Sequence, residues 1–310
     1  MKLIVTREIP EAVAERVRRD YEAVFLDVHG TFGAAMLAPH LAGADGILCT
    51  PADRFDAGVI GALPESVRVI GTYSVGVEHI DVAAAAARGI KICNTPDVLS
   101  VATAELALTL MLMAARRAGE GERLLRAGQW GGLTPVFHRG RGVVGKRLGI
   151  FGMGRIGREL AGMARGLGME VHYLNRSRLA PELEAGAVFH EREEAFLAGI
   201  DFLSINAPGG EATRGWLNAA RLAMMQESAI VVNTGRGSLV DDDALIAALR
   251  ERRIAGAGLD VFNNEPALHA GYLALENVVL LPHIGSATIE TRDAMGFAAL
   301  DGIDAVLRED

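Results

Sequence analysis

"LGIFGMGRIGRELAGMARGLGMEVHYLNRSR", residues 148–178, decides the fold. An apolar run closes at Gly152-Met153-Gly154-Arg155-Ile156-Gly157. An amphipathic segment follows, with Ile156, Leu160, Met163 and Leu167 on one face and Gly168 at its end. A second apolar run, EVHYL, comes next. Strand, glycine-rich turn, helix and strand in that order predict a dinucleotide-binding unit. Gly152 permits the tight turn, Gly154 lets backbone approach a pyrophosphate, and Gly157 allows close helix–strand packing. Met153, Arg155 and Ile156 complete the turn, where the helix start supplies amides and partial positive charge.

Asn175 lies eighteen residues beyond Gly157, where such a unit usually carries an acid that holds the adenosine ribose. A carboxylate there would repel a 2′-phosphate. Asn175 removes that repulsion, Arg176 offers a planar fork, Ser177 adds a hydroxyl and Arg178 adds positive field. The stretch predicts NADP(H) in preference to NAD(H).

Outward from this motif, strand-like runs alternate with helix-like segments. Early ones lie at 2–6, 23–27, 46–49, 67–71 and 91–93, and a second series lies at 146–151, 170–174, 201–206, 229–233, 255–260 and 277–281. The pattern predicts an α/β protein of two Rossmann-like or flavodoxin-like lobes with parallel sheets. One lobe is 1–98 with 286–310, and the other is 99–285. Two long helices, over 100–120 and 286–307, join them.

The composition fits. There are 37 glycines in 310 residues, about 12 % against a usual ~7 %, which suits many tight strand-to-helix turns. Net charge is −8, from 31 basic and 39 acidic residues, which argues against a nucleic-acid partner. The two cysteines, Cys49 and Cys93, form no CxxC pair, so a disulfide framework is not expected and a reducing, cytoplasmic setting is. No signal-peptide or membrane-spanning stretch is expected either.

Three segments end apolar runs in the second lobe: VNTGRGSLVDDDAL (232–245), GLDVFNNEP (258–266) and LPHIGSAT (281–288). Ligands bind at the C-terminal ends of strands in doubly wound sheets, so Arg236, Asp260, Glu265 and His283 are expected to meet. His283 suits a proton donor to a carbonyl oxygen, and Glu265 suits the partner that orients the imidazole. Arg236 suits a 2-oxo acid's carboxylate and carbonyl, and Asp260 a nicotinamide carboxamide.

These motifs, at spacings of 24 residues from Arg236 to Asp260 and 18 from Glu265 to His283, resemble those of the D-isomer-specific 2-hydroxyacid dehydrogenase family. The resemblance extends over essentially the full length. It implies Arg236 as substrate binder, Glu265 as histidine partner and His283 as acid/base. YSVGVEHID (73–81) resembles the family's substrate loop, which implies that the amides of Val75 and Gly76 grip the substrate carboxylate. The same resemblance puts Thr103, Ala207, Pro208, Thr213, Thr234, Gly235 and Gly285 beside the cofactor. NRS at 175–177 and the HIGSATIETRDAM ending are most similar to glyoxylate/hydroxypyruvate reductases. Reduction of these small 2-oxo acids to 2-hydroxy acids by NADPH is thus the expected activity. A formate, phosphite or phosphoglycerate dehydrogenase is the alternative within the family, and a non-enzymatic NAD(P)-sensing corepressor the alternative outside it.

The resemblance also implies a homodimer, with residues 128–142 as its arm and Trp130 and His138 as inter-subunit contacts. NAPGG (206–210) departs from the family's usual pattern after Ala-Pro. Asp241, Asp242 and Asp243 are expected to start a helix rather than bind a metal. Met111 and Met113 are expected to pack, and His79 to be structural.

Overall fold

Short runs of Val, Ile and Leu form strands buried on both faces, and the amphipathic segments between them become the covering helices. The computed structural model describes residues 1–26 and 33–308. Two compact units result, residues 1–99 with 286–310 and residues 100–285.

The first unit runs β1 (Lys2–Val5), α1 (Glu11–Asp20), β2 (Glu22–Phe25), α2 (Ala34–Leu37), β3 (Gly46–Cys49), α3 (Ala57–Gly61), β4 (Val69–Thr72), α4 (Val82–Ala87) and β5 (Lys91–Cys93). Its strands are parallel in the order β2-β1-β3-β4-β5, the flavodoxin-like arrangement. Asp27, the end of the strand expected over 23–27, lies outside the described residues.

The second unit runs α5 (Ser100–Ala115), α6 (Ala118–Arg126), β6 (Arg147–Phe151), α7 (Arg155–Gly166), β7 (Glu170–Leu174), α8 (Pro181–Glu184), β8 (Val188–Phe189), α9 (Glu193–Gly199), β9 (Phe202–Ile205), α10 (Ala219–Met224), β10 (Ile230–Asn233), α11 (Asp242–Arg250), β11 (Gly256–Leu259) and β12 (Val278–Leu280). Its seven strands, all parallel, take the order β12-β11-β10-β9-β6-β7-β8. The order reverses between β6 and β9, the switch point where such sheets bind ligands.

Register then places the site. Leu174, Phe151, Ile205, Asn233, Leu259 and Leu280 are paired in one row across the sheet. The residues that follow each of them, Asn175, Gly152, Asn206, Thr234, Asp260 and Leu281, therefore line the C-terminal edge.

The last element, α12 (Ile289–Arg308), belongs to the first unit and packs on β4. Close approach is possible because Gly71 faces Ile303, whose Cδ1 would be only 2.6 Å from a Cβ at that position. Gly296 likewise makes room for the Tyr73 hydroxyl.

One expected helix is corrected. The run over 100–120 is two helices, because Arg117 turns left-handed at φ 54° between α5 and α6. The returning chain causes the break. Gly140 packs on Ala115, where a Cβ would come within 2.5 Å of the carbonyl oxygen, and the Arg141 amide donates to that oxygen at 2.7 Å. Strand β8 is an addition the apolar pattern did not reveal. Among the described residues no helix is long and apolar enough to cross a membrane.

Candidate active site and nucleotide cradle

The three motif glycines meet different surroundings. Gly152 has φ 94°, and a Cβ there would lie 2.4 Å from the Ala207 amide nitrogen. At Gly157 a Cβ would come within 2.7 Å of the Gly152 carbonyl oxygen. Both must be glycine for the protein to close on itself. At Gly154 a Cβ would meet nothing within 4 Å. That open space adjoins the start of α7, which has no side-chain cap and whose first amides lack intrahelical acceptors. The cradle fits a dinucleotide's pyrophosphate. Arg155 is exposed there and Ile156 half-buried.

Asn175 is engaged within the protein. Its Oδ1 accepts the Met153 amide at 2.7 Å, which pins the glycine turn and turns Nδ2 the other way. Arg176 and Ser177 are exposed, and among the described residues their side chains make no hydrogen bond or ion pair. Arg178 does not add free positive field as expected. Its Nε and Nη2 donate to the two oxygens of buried Glu184 at 2.8 and 3.0 Å.

Further along the sheet edge, buried Asp260 accepts the Ile284 and Gly285 amides, each at 2.8 Å. Burial raises its carboxyl above the usual range, and the two amides offset this in part. Its carboxylate thus fixes the turn that carries His283, which sits at φ 55°. Gly285 lies against both Asp260 and buried Thr103, with a Cβ there 3.2 Å from Asp260 Oδ2 and 3.4 Å from Thr103 Cγ2. Ala207 is buried and Pro208 exposed, and Thr213 closes their loop by donating to the Pro208 carbonyl at 2.8 Å. Thr234 donates to Asn206 Oδ1 at 3.4 Å.

His283 Nδ1 is 2.6 Å from Glu265 Oε2. A carboxylate only accepts, so Nδ1 carries the proton and Nε2 is left for other chemistry. The Phe262 amide holds the other oxygen of Glu265 at 2.8 Å. Burial pushes the Glu265 carboxyl up, but the His283 ring, the Phe262 amide and the charge of Arg236 together keep it below the usual range. Carboxylate and imidazole are therefore partners, and the charge of Arg236 reaches the same carboxylate. Arg236 also donates to the Gly235 carbonyl at 2.8 Å.

In the first unit, the loop after β4 is tied down by its carbonyls. Asn94 donates to the Val75 carbonyl at 2.7 Å, Ser74 Oγ to the Gly76 carbonyl at 2.7 Å, and the Thr95 amide to the Ser74 carbonyl at 2.8 Å. The Val75 and Gly76 amides have no acceptor among the described residues. Adjacent N–H groups of this kind, one on exposed Val75 and one on half-buried Gly76, are suited to an anion.

The sequence profile described as "D-isomer specific 2-hydroxyacid dehydrogenase, NAD binding domain" matches residues 108–285. The chain belongs to the D-isomer-specific 2-hydroxyacid dehydrogenase family. It is 41 % identical to a glycerate dehydrogenase of Hyphomicrobium methylovorum, over 98 % of this chain and 95 % of that protein. It is 40 % identical to a glyoxylate reductase of Thermococcus onnurineus, over 95 % and 89 %. Among solved structures it resembles an NADPH-dependent glyoxylate/hydroxypyruvate reductase of Sinorhizobium meliloti in complex with NADP and malonate. That match has a TM-score of 0.86 and 32 % identity, and covers 99 % of this chain and 94 % of the other.

Two supports of this dehydrogenase site escaped the sequence reading. Buried Asn233 accepts the Gly235 amide and donates to the Arg236 carbonyl, both at 3.0 Å, which shapes the arginine turn. Gly237 lets that turn press on Phe262, since a Cβ there would overlap the Phe262 carbonyl carbon at 2.0 Å. Asn before a Gly-containing turn was the available signal for the first; the second needed the tertiary contact.

Other expectations can be placed. Asp241 caps α11 by accepting the Ala244 amide, and Asp242 accepts from Tyr272 and Asn263. Met111 is buried and Met113 packs on the same core. His79 hydrogen-bonds Thr72. His138 is engaged in its own chain, with Nε2 2.9 Å from the Arg117 carbonyl oxygen, while Trp130 is exposed.

Proposed function

We propose that this chain is an NADPH-preferring reductase that converts glyoxylate and hydroxypyruvate to their 2-hydroxy acids. The observation that carries the reading is the 2.6 Å Glu265–His283 contact, whose carboxylate also feels the charge of Arg236. The relatives named glyoxylate reductase and glycerate dehydrogenase support the substrate class.

Bound reduced nicotinamide supplies a hydride to the substrate's carbonyl carbon. His283 delivers the Nε2 proton to the carbonyl oxygen, and Glu265 stabilises the imidazolium before that transfer. Arg236 holds the carboxylate and polarises the carbonyl, and the Val75 and Gly76 amides of the first unit are substrate-binding groups on this reading. Gly152, Met153, Gly154, Arg155, Ile156 and Gly157 form the cofactor turn. Asn175, Arg176 and Ser177 face its 2′-phosphate. Thr103, Ala207, Pro208, Thr213, Thr234, Gly235, Asp260 and Gly285 complete the cofactor's surroundings, with Asp260 acting through the His283 turn. Residues 1–98 with 286–310 form the substrate domain and 99–285 the dinucleotide domain.

The working protein is a cytoplasmic homodimer on this reading. Leu125, Trp130, Leu133, Val136 and Val144 expose apolar surface within one stretch, as an arm for a second copy would.

Initial rates with NADPH and NADH across glyoxylate, hydroxypyruvate and pyruvate test the proposal. His283→Ala is expected to lower kcat about 10²–10⁴-fold without unfolding the chain. No turnover of any small 2-oxo acid by the parent protein, or an unchanged His283→Ala rate, would overturn it.

A further inference from the structure

Arg178 and Glu184 take no part in the reaction or the cofactor contacts proposed above. Glu184 ends α8, and its side chain is only 7 % exposed. One oxygen accepts from the buried Tyr173 hydroxyl at 2.5 Å and from Arg178 Nε at 2.8 Å, and the other from Arg178 Nη2 at 3.0 Å. The Leu179 amide donates to the same Tyr173 hydroxyl at 3.0 Å, and Arg165 holds the Glu184 carbonyl at 2.9 Å. The carboxylate is thus built into the base of the loop that runs from Tyr173 to Leu179.

That loop carries Asn175, Arg176 and Ser177, the residues assigned above to a 2′-phosphate. A carboxylate beneath a phosphate-binding loop is unfavourable unless it is neutralised, because a poorly solvated charge is weakly screened over such short distances. The Arg178 fork and the Tyr173 hydroxyl hold Glu184 below the usual carboxylate range, so it is charged at neutral pH. Arg178, bound through Nε and Nη2 on one edge of its guanidinium, is the neutralising partner.

We infer that Arg178 sets cofactor selectivity without touching the cofactor: it cancels the charge of Glu184, so that Arg176 and Ser177 can bind a 2′-phosphate. The inference rests on the NADPH reading. It makes Arg178 a positioning and charge-balancing residue rather than a phosphate ligand.

The test uses the full chain and two probes, adenosine 2′,5′-bisphosphate and 5′-AMP, with dissociation constants from isothermal titration calorimetry. Tighter binding of the bisphosphate by the parent protein is required by the NADPH reading, and its absence would reject that reading separately. Given that preference, Arg178→Ala leaves the carboxylate bare and should weaken bisphosphate binding on the order of tenfold, with 5′-AMP changed less than about twofold. Adding Glu184→Gln to Arg178→Ala removes the charge and should restore most of the loss. A direct phosphate contact would leave the double variant as weak as the single one, and a general folding role would weaken both probes alike; either result overturns the inference. Should Arg178→Ala not fold, Glu184→Gln alone decides the matter. It should bind the bisphosphate a few-fold more tightly with 5′-AMP unchanged, and no gain would overturn the inference.

Discussion

After β1 the chain reads Thr6-Arg7-Glu8-Ile9-Pro10, and after β6 it reads Gly152-Met153-Gly154-Arg155. Both turns leave the first strand of a doubly wound sheet at its switch point, and both lead into a helix. In the first unit the crevice is filled from within. Arg7 Nε donates to fully buried Asp53 at 2.6 Å, and Thr6 Oγ1 and the Thr50 amide donate to the same carboxylate at 2.6 and 2.9 Å. In the second unit the matching place holds an open glycine at the helix start; neither α1 nor α7 has a side-chain cap, so the open space is the difference. One topology thus serves two ends. A site that supplies its own ion pair is complete, whereas a helix start beside open space can take an anion from outside.

The contrast can be broken most forcefully at Asp53. Asp53→Ala removes the buried carboxylate that accepts from Arg7, Thr6 and the Thr50 amide, and should cost about 3–5 kcal/mol. Urea unfolding would register this loss in the first unit, while dinucleotide affinity of the folded protein should be unchanged. An affinity loss without a stability loss would mean that this crevice, too, receives a ligand. Within the second unit, Gly152→Ala should destabilise by roughly 1–3 kcal/mol, because it combines a positive φ with a backbone clash. Gly154→Ala should melt within a degree or two of the parent protein yet bind dinucleotide about tenfold more weakly, since its methyl points into the cradle. Equal destabilisation by the two alanines would remove the distinction between packing glycines and a ligand glycine.

The smallest expected effect concerns pH. Glu184 has a folded pKa below its ordinary value of 4.5. Its contribution to stability is fully present above that ordinary value and is lost as pH falls through the lowered one. Glu184→Gln should therefore melt below the parent at neutral pH, with the gap narrowing only on acidification below about 4.5. A gap that stays constant down to pH 3 would show that the carboxylate's charge is not what stabilises the loop.

Much of this arrangement was readable in advance, for a physical reason. Strand runs and glycine turns are local, and parallel register carries their ends to one edge automatically. Arg236, Glu265 and His283 each follow a strand by a few residues, so finding the strands sufficed to place them at the same sheet edge. What stayed hidden depends on choices between partners. Asn175 was read from its missing charge, but its bond to the Met153 amide needs the turn's actual path. Arg178 looked like free positive field because Glu184, six residues on, gives no sign in the sequence that it is buried. Asp260 was read as a cofactor residue, and its further task, accepting the amides of Ile284 and Gly285, needs the turn's actual path. The break at Arg117 was invisible in α5 itself, since its cause is Gly140.

The return of α12 to the first sheet bears on how the protein is made. The first 99 residues leave the ribosome early, but the helix that lets Ile303 lie on Gly71 is encoded after the whole second unit. At about 5–20 residues per second, that sheet face waits on the order of ten seconds or more for its cover. The second unit, continuous in sequence, can finish folding during that interval. The newborn N-terminal sheet is then the stretch with the longest exposure to chaperones and to aggregation.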